Sequence, residues 1–234
     1  MIIIEATSTP ALANDLVWKD YQTVKTESNK WEHFELARPR PKRNRTISLP
    51  YVYRGDGISF GERFLGQSIT SVRLSNPNGV FDIVTGQPSS PLQIVSGKTG
   101  QNIAISREEC RGSAAISGMS AGTEEDDNNG EGALSVQFVS GQQAFGFAVK
   151  PRSNCEQSEI RPGLLVIKAY ADDGKVVGSL RVPVTQNPQY LAIGTKDNSP
   201  SIFGVSLTNS DPGGVGFDDF VYTVRSEQLS FLSK

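Results

Sequence analysis

From Ile69 onward, apolar and polar positions alternate with a period of two. Leu134, Val136 and Phe138 alternate with Ser135 and Gln137, and Phe145, Phe147 and Val149 alternate with Ala144, Gly146 and Ala148. Each stretch predicts a strand with one packed face, because successive side chains of a strand point to opposite sides. The runs GLLVIKAYA and KVVGSLRVPV flank Asp172-Asp173-Gly174. An Asp-Gly step between apolar runs predicts a hairpin, since Gly accepts the positive φ that a tight turn requires. ITSVRLS, GVFDIV, LQIV, NIAIS, YLAIG, IFGVSL and FDDFVYTV are further strands, separated by Gly, Pro, Asn and Ser clusters at sandwich spacing. No long helical period appears, which argues against a wound α/β fold, and no fixed-period repeat appears, which argues against a solenoid or propeller. The pattern predicts an all-β, jelly-roll-like antiparallel β-sandwich over 31–226, with an N-terminal extension over 1–30 and a C-terminal tail over 227–234.

Composition agrees with that reading. Of 234 residues, 37% are apolar and 21% charged, and 23 Gly with 13 Pro supply the many turns of a β protein. A net charge of -2 gives no global attraction to nucleic acid or anionic lipid. No run reaches the roughly 18 consecutive apolar residues of a spanning helix. Cys110 and Cys155 sit in the polar segments REECRG and RSNCEQ, and stand either as a disulfide, which implies an oxidising compartment, or as two free surface thiols. With one His they fall short of the four ligands of a structural zinc site. PALA, ending at Ala13, has the small-residue form of a leader cleavage site, but MIIIEATSTP ahead of it is too short and too acidic for a leader.

Candidate chemistry is sparse. His33, the single histidine, stands in WEHFE without a companion nucleophile motif, and there is no G-x-S-x-G elbow, phosphate loop, dinucleotide fingerprint or HExxH helix. A glycosidase needs only two carboxylates, and no spacing among the 25 acidic residues selects a pair. Arg38, Arg40, Lys42, Arg43 and Arg45, interrupted by Pro39 and Pro41, form a basic loop without interleaved aromatics, which disfavours nucleic acid. Arg54-Gly55-Asp56 reads as a Gly-containing turn. Trp31, Tyr51, Tyr53 and Tyr190 are candidate sugar-stacking rings beside loops. Two places offer oxygens to a hard cation such as Ca²⁺. One is the acidic loop from Glu124 to Glu131; the other is the pair Asp218 and Asp219, where strict alternation sends one carboxylate toward the apolar side, where it needs a partner.

In order along the chain, Phe34-Glu35, YRGDGISFGERFLGQSI, GVFDIVTGQPSSPLQIVSG, EGALSVQFVSGQQAFGFAV, LLVIKAYADDGKVVGSL, YLAIGTKDNSPSIFGVSLTN and GVGFDDFVYTV resemble the jelly-roll domain of bacterial exported proteins, including those with a PEP-CTERM sorting tail. The resemblance covers about residues 31 to 225. It implies a sandwich similar to calcium-containing carbohydrate-binding modules, with a structural Ca²⁺ tying the first strand to the last through Glu35 and Asp218 or Asp219. It also implies a secreted, periplasmic or cell-surface setting. The chain finishes in SEQLSFLSK rather than in a Pro-Glu-Pro signal with a hydrophobic tail, so membrane sorting is not expected. The expected function is a non-catalytic binding module for a glycan or other extracellular polymer. The alternatives are a polysaccharide-active enzyme using an acidic pair and a structural or interaction protein of a surface layer.

Overall fold

The computed structural model describes residues 14–36, 45–75, 78–107, 113–120, 129–151, 163–211 and 213–224. Cys110, Cys155, the basic residues 38–43, the acidic residues 124–128 and the tail 227–234 lie outside the described residues. The first third of the chain forms β1 (Leu16–Lys19), α1 (Tyr21–Glu27), β2 (Lys30–Glu32), a 3-10 turn (Phe34–Leu36), β3 (Arg45–Leu49), β4 (Tyr53–Arg54), β5 (Ile58–Gly61) and β6 (Arg63–Phe64). Next come β7 (Ser68–Ser75), β8 (Asn78–Thr85), β9 (Ile94–Val95), β10 (Ile103–Arg107), β11 (Ala114–Met119), β12 (Asn129–Gly132), β13 (Leu134–Gln142) and β14 (Ala144–Pro151). The remainder is β15 (Leu164–Tyr170), β16 (Val176–Pro183), β17 (Gln189–Thr195), β18 (Ile202–Asn209) and β19 (Val215–Tyr222).

Two antiparallel sheets face each other. One runs β1-β17-β14-β19-β11-β10-β3, with β12 added on β11 and β2 on β19; the other runs β16-β15-β18-β13-β5-β4. The alternation read from the sequence supplies the core between them. Leu134, Val136 and Phe138 of β13 meet Phe145, Phe147 and Val149 of β14 in one buried cluster, joined by Leu165 and Ile167 of β15 and Val205 and Leu207 of β18. The Asp-Gly hairpin is present between β15 and β16. Gly174 has φ 79°, and the turn closes through Gly174 N–H to the Ala171 carbonyl at 3.0 Å.

Residues 14–30, expected as an extension, are built into the sandwich. Leu16 is buried in the core and β1 pairs with β17 over four residues. Asp20 caps α1 by accepting from Thr23 N–H at 2.8 Å, and Tyr21 and Val24, one turn apart, pack on Ala192 and Val221 on the outside of the sheet. Gly146 makes room for this, since a Cβ there would lie 2.8 Å from the Tyr21 ring. The sequence hid the segment because its apolar positions are few and split between a four-residue strand and a seven-residue helix.

The last strand departs from simple alternation. Between Gly146 and Ala148 of β14 there are two steps, while their partners Val221 and Asp218 on β19 are three steps apart. Asp219 is the extra residue and takes a left-handed backbone, φ 51°. Such a bulge resets the phase of the strand. Val215 and Phe217 face the core before it, and Phe220, Tyr222 and Val224 face the core after it. The expectation that Asp218 and Asp219 point to opposite faces is therefore corrected, and both carboxylates leave the core. Asp218, opposite Ala148, shares its side with Lys150. Asp219 accepts from the indole N–H of Trp31, whose register partner Val221 packs under α1.

Candidate functional site: a groove on the six-stranded sheet

β7 and β8 form a separate two-stranded hairpin paired from Ser68↔Thr85 to Ser75↔Asn78. It is held against the body by hydrogen bonds at the start of β13 and in β12. Asp82 accepts from Ser71 Oγ at 2.6 Å and from Ala133 N–H at 3.4 Å, and Glu131 Oε2 accepts from Val80 N–H at 3.1 Å. Residues 81–84 of β8 thereby become one wall of a groove of about 440 Å³ whose floor is the outer face of β15, β16 and β18.

The floor follows from strand register. Leu165, Ile167 and Ala169 point into the core, so Val166, Lys168 and Tyr170 point out. One rung of the floor is Arg181–Val166–Thr208, and the next is Ser179–Lys168–Ser206. Tyr170 closes one end. It is buried against Phe64 at 5.4 Å between ring centroids, and its hydroxyl accepts from Gln67 Nε2 at 2.8 Å. Ile83 and Leu164 on the rim are large apolar residues left exposed. The groove thus combines an apolar wall, hydroxyl groups and two cations.

A smaller pocket of about 320 Å³ adjoins it and shares Asp82, with Glu62, Arg63 and Lys98 also on its wall. Burial pushes the carboxyls of Glu62 and Asp82 above the ordinary carboxylate range, and Arg63, ion-paired to Glu62, partly opposes this. Here is the acidic pair that no spacing in the sequence selected. Glu32 and Asp218 are raised as well, again chiefly by burial. The consequence for stability has a definite sign. A carboxyl whose folded pKa lies above its unfolded value contributes stability that is full below the ordinary values, 3.8 for Asp and 4.5 for Glu, and is lost as pH rises through the folded pKa. Asp20, Asp173 and Asp197 shift the other way, but all three are open to solvent and screened by it. The thermal midpoint is therefore expected to be higher at about pH 5 than at about pH 7.5, and Asp82→Asn should shrink that difference. A midpoint that rises with pH over this window would contradict the burial of these four carboxyls.

Of the three residues expected to hold a metal, Glu35 and Asp218 bond to the neighbouring residues Ala114 and Ser113. Glu35 Oε1 accepts from Ala114 N–H at 2.7 Å, and Asp218 Oδ2 accepts from Ser113 Oγ at 2.8 Å. Asp219 lies apart, on Trp31, with its carbonyl taking the Tyr21 hydroxyl at 3.0 Å. The cation beside Asp218 is the Lys150 ammonium, 2.5 Å from Oδ2 and also bonded to Ser113 Oγ, with both members of the ion pair buried. Among the described residues no group of three His, Cys, Asp or Glu side chains is placed to hold a metal ion. One observation favours a further cation: Asp218 Oδ1 is buried without a hydrogen-bond partner among the described residues. The donor set fits a lysine better than a calcium ion, which takes six to eight oxygens. The sequence reading missed Lys150; its signal was the next outward position after Phe145, Phe147 and Val149.

The remaining candidates separate. The His33 ring packs tilted against Trp31, 5.1 Å between centroids. Arg54-Gly55-Asp56 is a turn closed by Gly55 N–H to the Ile58 carbonyl at 2.8 Å, with Asp56 ion-paired to Lys30. Tyr53 packs on Phe34 and Phe60, so it is no platform. Trp31 and Tyr190 are more than half exposed, but they belong to the nine-stranded sheet, across the sandwich from the groove. Among the described residues no helix is long and apolar enough to cross a membrane.

No protein-family model matches the chain, and no curated protein matches it. Three solved structures are similar at low identity. A DUF4465 family protein of Bacteroides caccae is 8% identical over 88% of this chain and 98% of its own, with a TM-score of 0.36. The CBM22-1 and GH10 modules of the Clostridium thermocellum endo-1,4-β-D-xylanase 10B, complexed with xylohexaose, are 11% identical over 79% of this chain and 29% of theirs, with a TM-score of 0.24. A glycoside hydrolase family 43 arabinoxylan arabinofuranohydrolase of Bacillus subtilis, in complex with cellotetraose, is 11% identical over 74% of this chain and 53% of its own, at 0.22.

Proposed function

We propose that this β-sandwich is a non-catalytic binding module for a glycan chain, working in an extracellular or cell-envelope setting. The observation that carries the reading is the groove, a concave site of about 440 Å³ on a sheet face, with apolar groups on its wall and hydroxyls on its floor. A sugar ring presents the same mixture, an apolar face with a polar rim. The acidic pair next door supports the enzymatic alternative less well. Glycoside hydrolysis places its two carboxyls on either side of the bond that breaks. Here Glu62 is committed to Arg63, and Asp82 holds the hairpin through Ser71 and Ala133. Calcium enters the proposal as a competitor of Lys150 for Asp218.

Val166→Trp fills the floor of the groove. It is expected to weaken binding to the polysaccharide that the wild-type chain retains in an affinity-gel screen by about tenfold or more, with the far-ultraviolet spectrum unchanged. Trp31→Ala and Tyr190→Ala, on the opposite face, should bind as wild type. If those two lose binding while Val166→Trp keeps it, the ligand lies on the nine-stranded sheet and the groove reading fails.

A further inference from the structure

Lys168 and Arg181 stand side by side on the groove floor. Lys168 pairs in register with Ser179 and Ser206, and Arg181 pairs with Val166. The two are diagonal neighbours on one face of adjacent strands, about 7–8 Å apart at the backbone, within joint reach of one bound group. Neither has an ion-pair or hydrogen-bond partner among the described residues, although other lysines and arginines here, such as Lys150, Lys175 and Arg63, are paired. Asp82 is the carboxylate on the groove wall, and its two oxygens are already engaged by Ser71 Oγ and Ala133 N–H. Among the described residues the groove therefore carries two positive charges against one carboxylate, an excess of positive charge in a chain whose net charge is -2.

We infer that the ligand of this groove is an anionic polysaccharide, one whose sugar carries a carboxylate or sulfate that Lys168 and Arg181 clamp together. The inference rests on the glycan-binding reading above and gives it a substrate class. An ammonium and a guanidinium hold an acidic group by charge-assisted hydrogen bonds, the guanidinium through two parallel donors. Both side chains keep contact with solvent, so their attraction is weakened by salt.

The test measures binding of the full chain by calorimetry to polygalacturonate, a sulfated glycan, neutral xylan and single-stranded DNA, at about 50 mM and about 500 mM NaCl. Variants are Lys168→Gln, Arg181→Gln, the double variant, and Val166→Trp. The expected result is binding to the uronate or the sulfated polymer that falls by about tenfold or more in the double variant and at high salt. Which of the two polymers binds more tightly assigns the carboxylate or the sulfate. If xylan binds as tightly as either acidic polymer, and the Gln variants change nothing while Val166→Trp abolishes binding, the charge inference is overturned and the groove stands. If DNA binds as tightly as the acidic polymers with the same salt dependence, the site is a general polyanion surface and the inference is overturned. If no polysaccharide binds, the underlying reading fails.

Discussion

Replacing Lys150 by Ala lowers the unfolding free energy by about 3–5 kcal/mol, as measured by urea denaturation at neutral pH. The size follows from what the substitution leaves behind. Asp218 is 1% exposed, and its Oδ2 has the ammonium at 2.5 Å. Its Oδ1 already lacks a partner. Burial, with a smaller push from the Asp219 charge, moves this carboxyl up, and Lys150 is the largest influence in the other direction. Without the lysine the site holds a charge that must either stay unpaired or take up a proton, and both outcomes cost stability. Removing both partners together, as Lys150→Met with Asp218→Leu, should recover most of the loss, because the expense lies in the orphaned charge rather than in the missing attraction. The same pair tests the calcium implied by family resemblance. Millimolar calcium should leave the wild-type thermal midpoint where excess chelator leaves it, since the ammonium holds Asp218. A rise of several degrees in the wild type would mean that the metal displaces the lysine.

Much of the fold was legible because alternation is a local signal. β13, β14 and the β15–β16 hairpin coincide with runs whose inward residues can be marked off two at a time. The groove was half legible by the same rule. In LLVIKAY the outward positions are Leu164, Val166, Lys168 and Tyr170, and a strand with apolar residues on both faces is covered on both faces. What covers the outer face was not readable. It is a hairpin from residues 68–85, and its docking uses backbone N–H groups of Ala133 and Val80 donating to Asp82 and Glu131, pairs far apart in the chain. Glu35 and Asp218 were named by resemblance; alternation marks Lys150 as an outward position, but its pairing with Asp218 is not readable, because a long-range ion pair leaves no local pattern. The bulge at Asp219 escaped for a related reason. Asp-Asp in a strand reads as one residue in and one out, and only the partner strand reveals the extra residue.

That bulge leads to the second large effect. Phe220→Ala is expected to cost about 3–5 kcal/mol in the same urea assay, the range for truncating a fully buried aromatic. The Phe220 ring sits edge-on to Phe60 at 5.0 Å and to Phe34 at 6.2 Å and is nearly parallel to Phe147 at 5.8 Å, so it is the point where β5, β14 and the turn leading into Glu35 meet. A methyl group in its place leaves a cavity walled by three rigid rings, one on each sheet and one on the 3-10 turn, which can close only if these elements shift. Phe220→Leu keeps much of the volume and should lose clearly less. Deleting Asp219 sharpens the argument. The two strands would then step two for two, so Phe220 stays inward and Val221 outward, and the ladder between β14 and β19 becomes regular. The deletion removes no core atom and is expected to destabilise clearly less than Phe220→Ala. A deletion that destabilises as much as Phe220→Ala would mean that the bulge, and not only the inward ring it precedes, is needed to hold β19 in place.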